Sequence, residues 1–482
     1  MKENKNLIAG SFFWKFIERF SVQITSFITT MVLARILTTD EYGTVALVTV
    51  FIAIATVFVQ GGFNTALIQK KYIDNEDIST VFTFSIILVI IFYALLWLLA
   101  PIIASFYNKE ILIPIVRILS LSLFLGAFNS IQVAIITRNM NFKSLFKSNL
   151  FGSIIASILS ILIAVNGGGI WSMVAWYLIN VILTTILMFF SVEWRPRFYF
   201  SIKKFKKLFS FGSKILISNV MVTIFQNIRS LLIGRYYSTS DLAVFNKGKQ
   251  FPQVLMDGIV GSMQSVSLSS FSKMQNLSVE NYKYNFRKIL RMSYFIIFPL
   301  LIGIFSISRP LVIILLTDKW EGTIIFIQIF CVTYLFQPLQ IICAEALKGK
   351  GMSDITLKIE IWRKTFEIIL LLVTLKFGTI MIAVGALISG FLSFTITMLP
   401  NKKYLNYLFK EQLFDLYKPL LSSILMLLLI FPISYFEINY FIVLFIQIIF
   451  GIIIYILCNY LLKNKEMFDF IKFYLNKLKV RK

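Results

Sequence analysis

The chain has 482 residues, of which 58% are apolar and 49 are Phe, with a formal net charge of +24 and no histidine. A soluble domain holds about 45–50% apolar residues, so the excess belongs to segments whose solvent is lipid. The lack of His removes the commonest general base and metal ligand, and no Gly-x-x-x-x-Gly-Lys-Ser/Thr run is present to cradle ATP.

A membrane span needs about 20 mostly apolar residues. About fourteen such segments follow one another, centred near residues 23, 54, 90, 123, 156, 181, 222, 262, 302, 335, 367, 389, 427 and 451. The connections are short and leave no room for a soluble domain on either face. The first span contains Lys15, Glu18 and Arg19, unlike the apolar core of a cleavable signal. Between spans six and seven stand Arg195, Arg197, Lys203, Lys204, Lys206 and Lys207. Lys273, Lys283, Arg287, Lys288 and Arg291 follow span eight, and Lys402, Lys403, Lys410 and Lys418 follow span twelve. The tail adds Lys463, Lys465, Lys472, Lys477, Lys479, Arg481 and Lys482. With both termini cytoplasmic, most of the basic residues fall on the inner side, the positive-inside bias. The charge is thereby assigned to topology and lipid contact, and nucleic acid is excluded as a partner. Phe198 to Lys214 interleaves Phe and Lys, which predicts a helix lying in the inner interface. Cys331, Cys343 and Cys458 all fall within spans. The first two are expected on one helix about 18 Å apart, too far to bridge, and no metal site is expected.

The chain also repeats itself. Leu33-Ala34-Arg35-Ile36-Leu37-Thr38-Thr39-Asp40-Glu41-Tyr42-Gly43 returns as Ile233-Gly234-Arg235-Tyr236-Tyr237-Ser238-Thr239-Ser240-Asp241-Leu242-Ala243. Each copy starts from a Gly-Ser pair, Gly10-Ser11 and Gly212-Ser213, and places an acid, Glu41 or Asp241, after the Arg. Pro101 with Phe106-Tyr107-Asn108-Lys109 corresponds to Pro310 with Leu316-Thr317-Asp318-Lys319. Gly167-Gly168-Gly169-Ile170 corresponds to Phe377-Gly378-Thr379-Ile380. The expected fold is an all-α polytopic membrane protein of about 14 transmembrane helices: two pseudo-symmetric six-helix lobes plus two C-terminal helices. The expected domains are an N-terminal lobe over 1–197, a second lobe over 198–400 that opens on the basic interfacial linker, and two accessory helices with a basic tail over 401–482. Six spans per lobe make the repeats parallel, related by an axis along the membrane normal.

Ionisable residues at membrane depth are costly, so they face protein or a wet cavity. Lys15, Glu18 and Arg19 share one face of span one. In span eleven Glu360, Arg363, Lys364 and Glu367 follow i, i+3, i+4, i+7. That stripe is either an ion-pair ladder joining helices or a charged cavity wall that handles an anionic group. Span seven presents Asn219, Thr223, Gln226, Asn227 and Ser230 with Arg229 beside them. Span eight runs Asp257, Gly261, Gln264, Ser265, Ser269 and Ser272, and its counterpart, span two, carries Thr56, Gln60 and Asn64. Close packing through small residues accounts for the Gly and Ser but not for Asp257 or Arg229. Spans one, two, seven and eight are therefore expected to line a water-filled lumen.

At Gly10-Ser11-Phe12-Phe13-Trp14, Glu18-Arg19-Phe20, Leu33-Ala34-Arg35-Ile36-Leu37, Glu41-Tyr42-Gly43 and Ala66-Leu67-Ile68-Gln69-Lys70 the sequence resembles bacterial polysaccharide flippases. These belong to the multidrug/oligosaccharidyl-lipid/polysaccharide exporter superfamily. The resemblance implies translocation of undecaprenyl-diphosphate-linked oligosaccharide repeat units across the bacterial inner membrane, by alternating access, for O-antigen, capsule or exopolysaccharide. The lack of motifs for chemistry leads us to expect no enzymatic activity and no cofactor. The diphosphate needs cations, which Lys15, Arg19, Arg229, Arg363 and Lys364 could supply. Glycan hydroxyls need neutral partners such as Gln60, Asn64, Gln226, Asn227 and Gln264. Glu18, Asp257, Glu360 and Glu367 could tune those cations or bind a coupling cation, H+ or Na+. The partners expected are the lipid-linked oligosaccharide, membrane lipids, and the polysaccharide polymerase and glycosyltransferases of the same route. A lipid-linked peptidoglycan precursor flippase, a cation-coupled multidrug exporter and, with less support from the short outer loops, a membrane glycan polymerase are the alternatives.

Overall fold

The computed structural model describes residues 2–60, 62–274, 278–436, 439–469 and 472, with side chains from Phe13 onward except at 261, 262, 265, 266, 268 and 269. The side chains of Gly10, Ser11, Gly261, Ser265 and Ser269, and the tail residues Lys477, Lys479, Arg481 and Lys482, therefore lie outside the described residues. The described residues are 88% helical, with no strand among them.

The chain forms two compact units, residues 1–243 and 244–482. The first holds α1 (Lys2–Ile36), α2 (Thr39–Gln60), α3 (Phe63–Gln69), α4 (Asn75–Tyr107), α5 (Leu112–Ser120), α6 (Ser122–Arg138), α7 (Phe142–Val165), α8 (Ile170–Ser191) and α9 (Ile202–Tyr236). Helix α10 (Thr239–Lys273) begins in it and continues into the second unit. The second holds α11 (Val279–Ser306), α12 (Ser308–Leu316), α13 (Thr323–Tyr334), α14 (Gln337–Gly349), α15 (Ser353–Thr374), α16 (Thr379–Leu405), α17 (Phe409–Ile430) and α18 (Tyr440–Leu461).

Eleven helical stretches among the described residues are long and apolar enough to cross a membrane. At 1.5 Å per residue even 22-residue α8 and α18 reach about 33 Å, enough for a hydrocarbon core of about 30 Å. The other three expected spans are α1, α10 and α15, which are long but fall short in apolarity because they carry the charged and amide stripes. The outward faces of the apolar helices carry large side chains such as Leu98, Phe190, Phe445 and Leu461, all well exposed. Such a surface is stable only in lipid.

Local sequence explains the boundaries. Asp74 caps α4 reciprocally: its carboxylate accepts from the Asp77 backbone N–H (2.8 Å), and the Asp77 carboxylate accepts from that of Asp74 (3.2 Å). Gly62 breaks α2 from α3 with φ 71°, and a Cβ there would sit 2.4 Å from the carbonyl oxygen of Gly212 in α9. Glycine is needed on both counts.

Two expectations are corrected. The Phe/Lys segment is not a separate interfacial helix: 192–201 is non-helical, and from Ile202 the chain runs as one 35-residue helix to Tyr236. Part of the segment's aromatic side packs on protein, while Phe198, Phe200, Phe209 and Phe211 stay exposed. Phe205 packs on Phe63 and Phe84 (ring centroids 6.1 and 4.5 Å), while Lys204 pairs with Asp74 and Glu76 (2.5 and 2.7 Å). Helix α9 packs on α2, α3 and α4 within the first compact unit. Secondly, Cys331 and Cys343 lie on different helices, α13 and α14, separated by a turn at Leu335–Phe336, and both are buried free thiols.

Candidate functional site

In the first unit the polar face of α1 divides in two. Glu18 is only 7% exposed; it accepts from Lys15 Nζ (2.8 Å) and from Asn149 Nδ2 of α7 (2.7 Å). Further along, the Thr29 hydroxyl donates to the Thr25 carbonyl (2.7 Å) and lies 2.6 Å from Ser157 Oγ of α7. A carboxylate taken out of water must be matched by donors, and here α7 supplies one. Lys15 and Arg19 remain exposed beside that seam.

Gln60 ends α2 and Asn64 sits on α3, both half-buried. On α9, Gln226 is exposed, Asn227 donates back to the Thr223 carbonyl (2.8 Å), and Arg229 is half-buried. Asp257 and Gln264 are exposed on α10.

In the second unit the α15 stripe resolves into two ion pairs at i,i+3 spacing: Arg363 with Glu360 and Lys364 with Glu367, each at 2.8 Å. All four side chains are half-buried. Arg363 also donates through Nη2 to Gln340 Oε1 of α14 (2.5 Å), while its buried Nε has no acceptor. One of the three guanidinium nitrogens is thus left without a partner.

The repeated signature has a structural basis. Glu41 accepts from the Thr38 backbone N–H and hydroxyl (both 2.9 Å), and the Thr38 hydroxyl accepts from the Glu41 N–H (3.2 Å). Asp241 and Ser238 repeat this pattern at 3.2, 2.6 and 3.0 Å. The acid after each Arg is therefore half of a capping box that starts the next helix, α2 or α10. The two turns also touch: Thr239 donates its hydroxyl to Asp40, Thr39 and Ser240 share a 2.5 Å hydrogen bond, and Lys109 pairs with Asp40 (2.5 Å).

Sequence reasoning missed several groups. A cavity of about 610 Å³ in the first unit is bordered by Asn75, Asn139, Asn141, Ser191, Trp194 and Arg197. Its lining comes from three separate segments, so no local motif announced it. Lys247 of α10 is buried to 1% exposure with its Nζ 3.1 Å from Gln250 Oε1, one turn along the same helix. In the second unit Asp415 (6% exposed) accepts from Arg287 Nε and Nη2 (2.6 and 2.7 Å) and from the Tyr407 hydroxyl (2.5 Å). Arg291 pairs with Glu466 (2.8 Å), and Lys283 with Glu411 (2.7 Å). Burial, and then the Asp415 carboxylate, push the Tyr407 hydroxyl up from its usual range, so it stays a donor. This network fastens α17 and the segment after α18 to α11.

The model of the polysaccharide biosynthesis protein family matches residues 32–325. The chain belongs to this family. Within it, the chain is 23% identical over 359 residues to the teichuronic acid biosynthesis protein TuaB of Bacillus subtilis, covering 73% of each. It is 23% identical over 341 residues to the lipopolysaccharide biosynthesis protein WzxC of Escherichia coli, covering 70% of this chain and 68% of that one. Among solved structures it resembles the lipid II flippase MurJ in an inward closed conformation, with TM-score 0.74 and 18% identity over 92% of this chain and 98% of that one. An inward-facing multidrug MATE transporter of the MOP superfamily matches with TM-score 0.60 at 15% identity, over 81% and 96%. At these identities the solved structures show the fold alone. The all-α polytopic architecture and the resemblance to polysaccharide flippases therefore both stand.

Proposed function

We propose that this family member translocates undecaprenyl-diphosphate-linked oligosaccharide repeat units across the bacterial cell membrane, for surface polysaccharide assembly, by alternating access and without chemical catalysis. The observation that carries the reading is the division of the helices into eleven apolar stretches and three charged ones, α1, α10 and α15, in a chain of this family. Such a division suits a cargo with an anionic head, a hydroxyl-rich glycan and a hydrocarbon tail.

On this reading Lys15, Arg19, Arg229, Arg363 and Lys364 receive the diphosphate, and Gln60, Asn64, Gln226, Asn227 and Gln264 meet the glycan. Glu18, Asp257, Glu360 and Glu367 hold those cations in place or take a coupling H+ or Na+. The two six-helix lobes, the cytoplasmic placement of both termini and association with polymerase and glycosyltransferases belong to the same proposal. A lipid-linked peptidoglycan precursor is the second cargo to test, because the fold is shared with a lipid II flippase.

The test is flipping by purified protein in liposomes, with defined lipid-linked repeat units and with lipid II as separate cargoes. Protein-dependent flipping of the repeat unit at a faster rate than lipid II supports the proposal. Faster flipping of lipid II, or no flipping of either, overturns it.

A further inference from the structure

A second cleft of the first unit lies beside the two signature turns. It measures about 590 Å³, within the usual range for a ligand pocket. Phe51 of α2, Ile102, Phe106 and Tyr107 of α4, and Leu231 and Leu232 of α9 form its walls. Arg235 closes the rim, its guanidinium carbon 4.5 Å from the Phe106 ring centroid. The Tyr107 hydroxyl donates to the Leu231 carbonyl (3.3 Å), which fixes α4 against α9 at the back of the cleft. Ile102 is 62% exposed, so the cleft opens sideways along the apolar flank of α4.

Charge identifies the occupant. At this end Asp40 is engaged by Lys109 and Thr239, Glu41 by Thr38, and Asp241 by Ser238. Arg235 forms no ion pair with any described carboxylate, and its positive charge faces a ring and an apolar wall. Arg235 is exposed in the last turn of α9, so its guanidinium can reach the head-group level, where its planar fork fits a phosphate. The walls below it accept only hydrocarbon.

We propose that this cleft holds the isoprenyl chain of the lipid carrier along Phe51, Ile102 and Leu232, with its proximal phosphate on Arg235. The assignment rests on the proposed function for the identity of the carrier. With both termini cytoplasmic, this end faces outward, so the cleft serves the carrier on the exit side.

The experiment measures lipid retention by the full-length protein in native mass spectrometry. The probes are undecaprenyl phosphate, undecaprenol, phosphatidylglycerol and phosphatidylcholine. Arg235→Gln should weaken undecaprenyl phosphate by about tenfold and leave undecaprenol unchanged. Ile102→Trp, at an exposed and tolerant position, should fill the cleft and weaken both isoprenyl probes. Neither variant should alter retention of phosphatidylcholine. Unchanged retention of undecaprenyl phosphate by both variants overturns the proposal, and so does phosphatidylglycerol held as tightly as undecaprenyl phosphate. A wild type that flips glycan while R235Q keeps full retention sinks the cleft alone. A wild type with Arg235-dependent retention that flips no glycan sinks the functional reading alone.

Discussion

Gly43 sits where the two copies of the repeated turn meet, and replacing it with Ala tests whether that contact is part of the working cycle. A Cβ at Gly43 would lie 1.7 Å from the carbonyl oxygen of Thr239 and 2.5 Å from its carbon. Ordinary contact requires the α9–α10 turn to withdraw by about 2 Å. That displacement removes the Thr39–Ser240 hydrogen bond and the one from Thr239 to Asp40. Asp40 keeps Lys109, and its side chain is 55% exposed, so solvent replaces part of what is lost. The net penalty on this arrangement is then about 2 kcal/mol, not the larger sum expected for two buried bonds. In an alternating carrier such a penalty shifts the population about 30-fold toward the state in which the two turns are apart. Nitroxide labels at the exposed Ile36 and Tyr236, in a background with Cys331, Cys343 and Cys458 replaced, report the separation by electron–electron resonance. Gly43→Ala should lengthen the distance distribution and slow net transport while protein level holds. An unchanged distribution with unchanged transport would refute the argument, because the clash would have been absorbed without separating the turns.

Three further outcomes are expected. Asp415→Asn leaves Arg287 and Arg291 without their buried carboxylate and should cost about 3 kcal/mol, read as a lower melting temperature in detergent and detachment of α17 in hydrogen exchange; no change in either would remove the network from the account. Glu360→Arg with Arg363→Glu reverses one ion pair of α15 and moves the cation by one turn; it should preserve melting temperature and reduce flipping by about tenfold or more, whereas full flipping would make that pair purely structural. At the α4 cap, Lys204 beside Asp74 holds that carboxyl at about 2, below its ordinary 3.8. A depressed acid stabilises above its unfolded pKa and loses that contribution as pH falls toward 2. The small destabilisation by Asp74→Asn should therefore be equal at pH 5 and pH 8 in thermal melts, and a difference that grew between those values would contradict the pairing.

What could be read in the sequence followed the range of the interactions. Helices were legible because apolar segments of about 20 residues have only one solution in lipid. The charge stripes were legible as stripes, since 3.6 residues per turn fix which positions share a face. Their pairing was not: Arg363 reaches back to Glu360 and Lys364 forward to Glu367, a rotamer choice that spacing leaves open. An exchange of Glu360 with Lys364, natural on i,i+4 reasoning, would break both pairs and test nothing. The repeated acids were visible, yet Thr38-x-x-Glu41 and Ser238-x-x-Asp241 carry the capping-box pattern in plain form, and that local reading explains them better than a distant site does. The Asp415 network lay beyond reach because Arg287 and Asp415 are 128 residues apart. The Phe/Lys linker misled because an amphipathic helix start looks the same whether its apolar side meets lipid or another helix.

The ion pairs of α15 bear on how a carrier of diphosphate lipid could release what it binds. A lone cation in a low-dielectric passage is costly while empty and holds an oxyanion strongly when filled, so both empty and loaded states would resist turnover. Arg363 avoids that extreme: Glu360 and Gln340 occupy Nη1 and Nη2, and Nε alone is unused. On the proposed reading, an arriving phosphate displaces Glu360 from the guanidinium, one oxyanion for another. The exchange is nearly balanced because each state keeps a charge-assisted hydrogen bond on the same donors. Departure reverses it, with the Glu360 carboxylate one helical turn away and 46% exposed, free to swing back. On that reading the acidic members of the stripe are as necessary to transport as the basic ones, since they set the free energy of the unloaded site close to that of the loaded one.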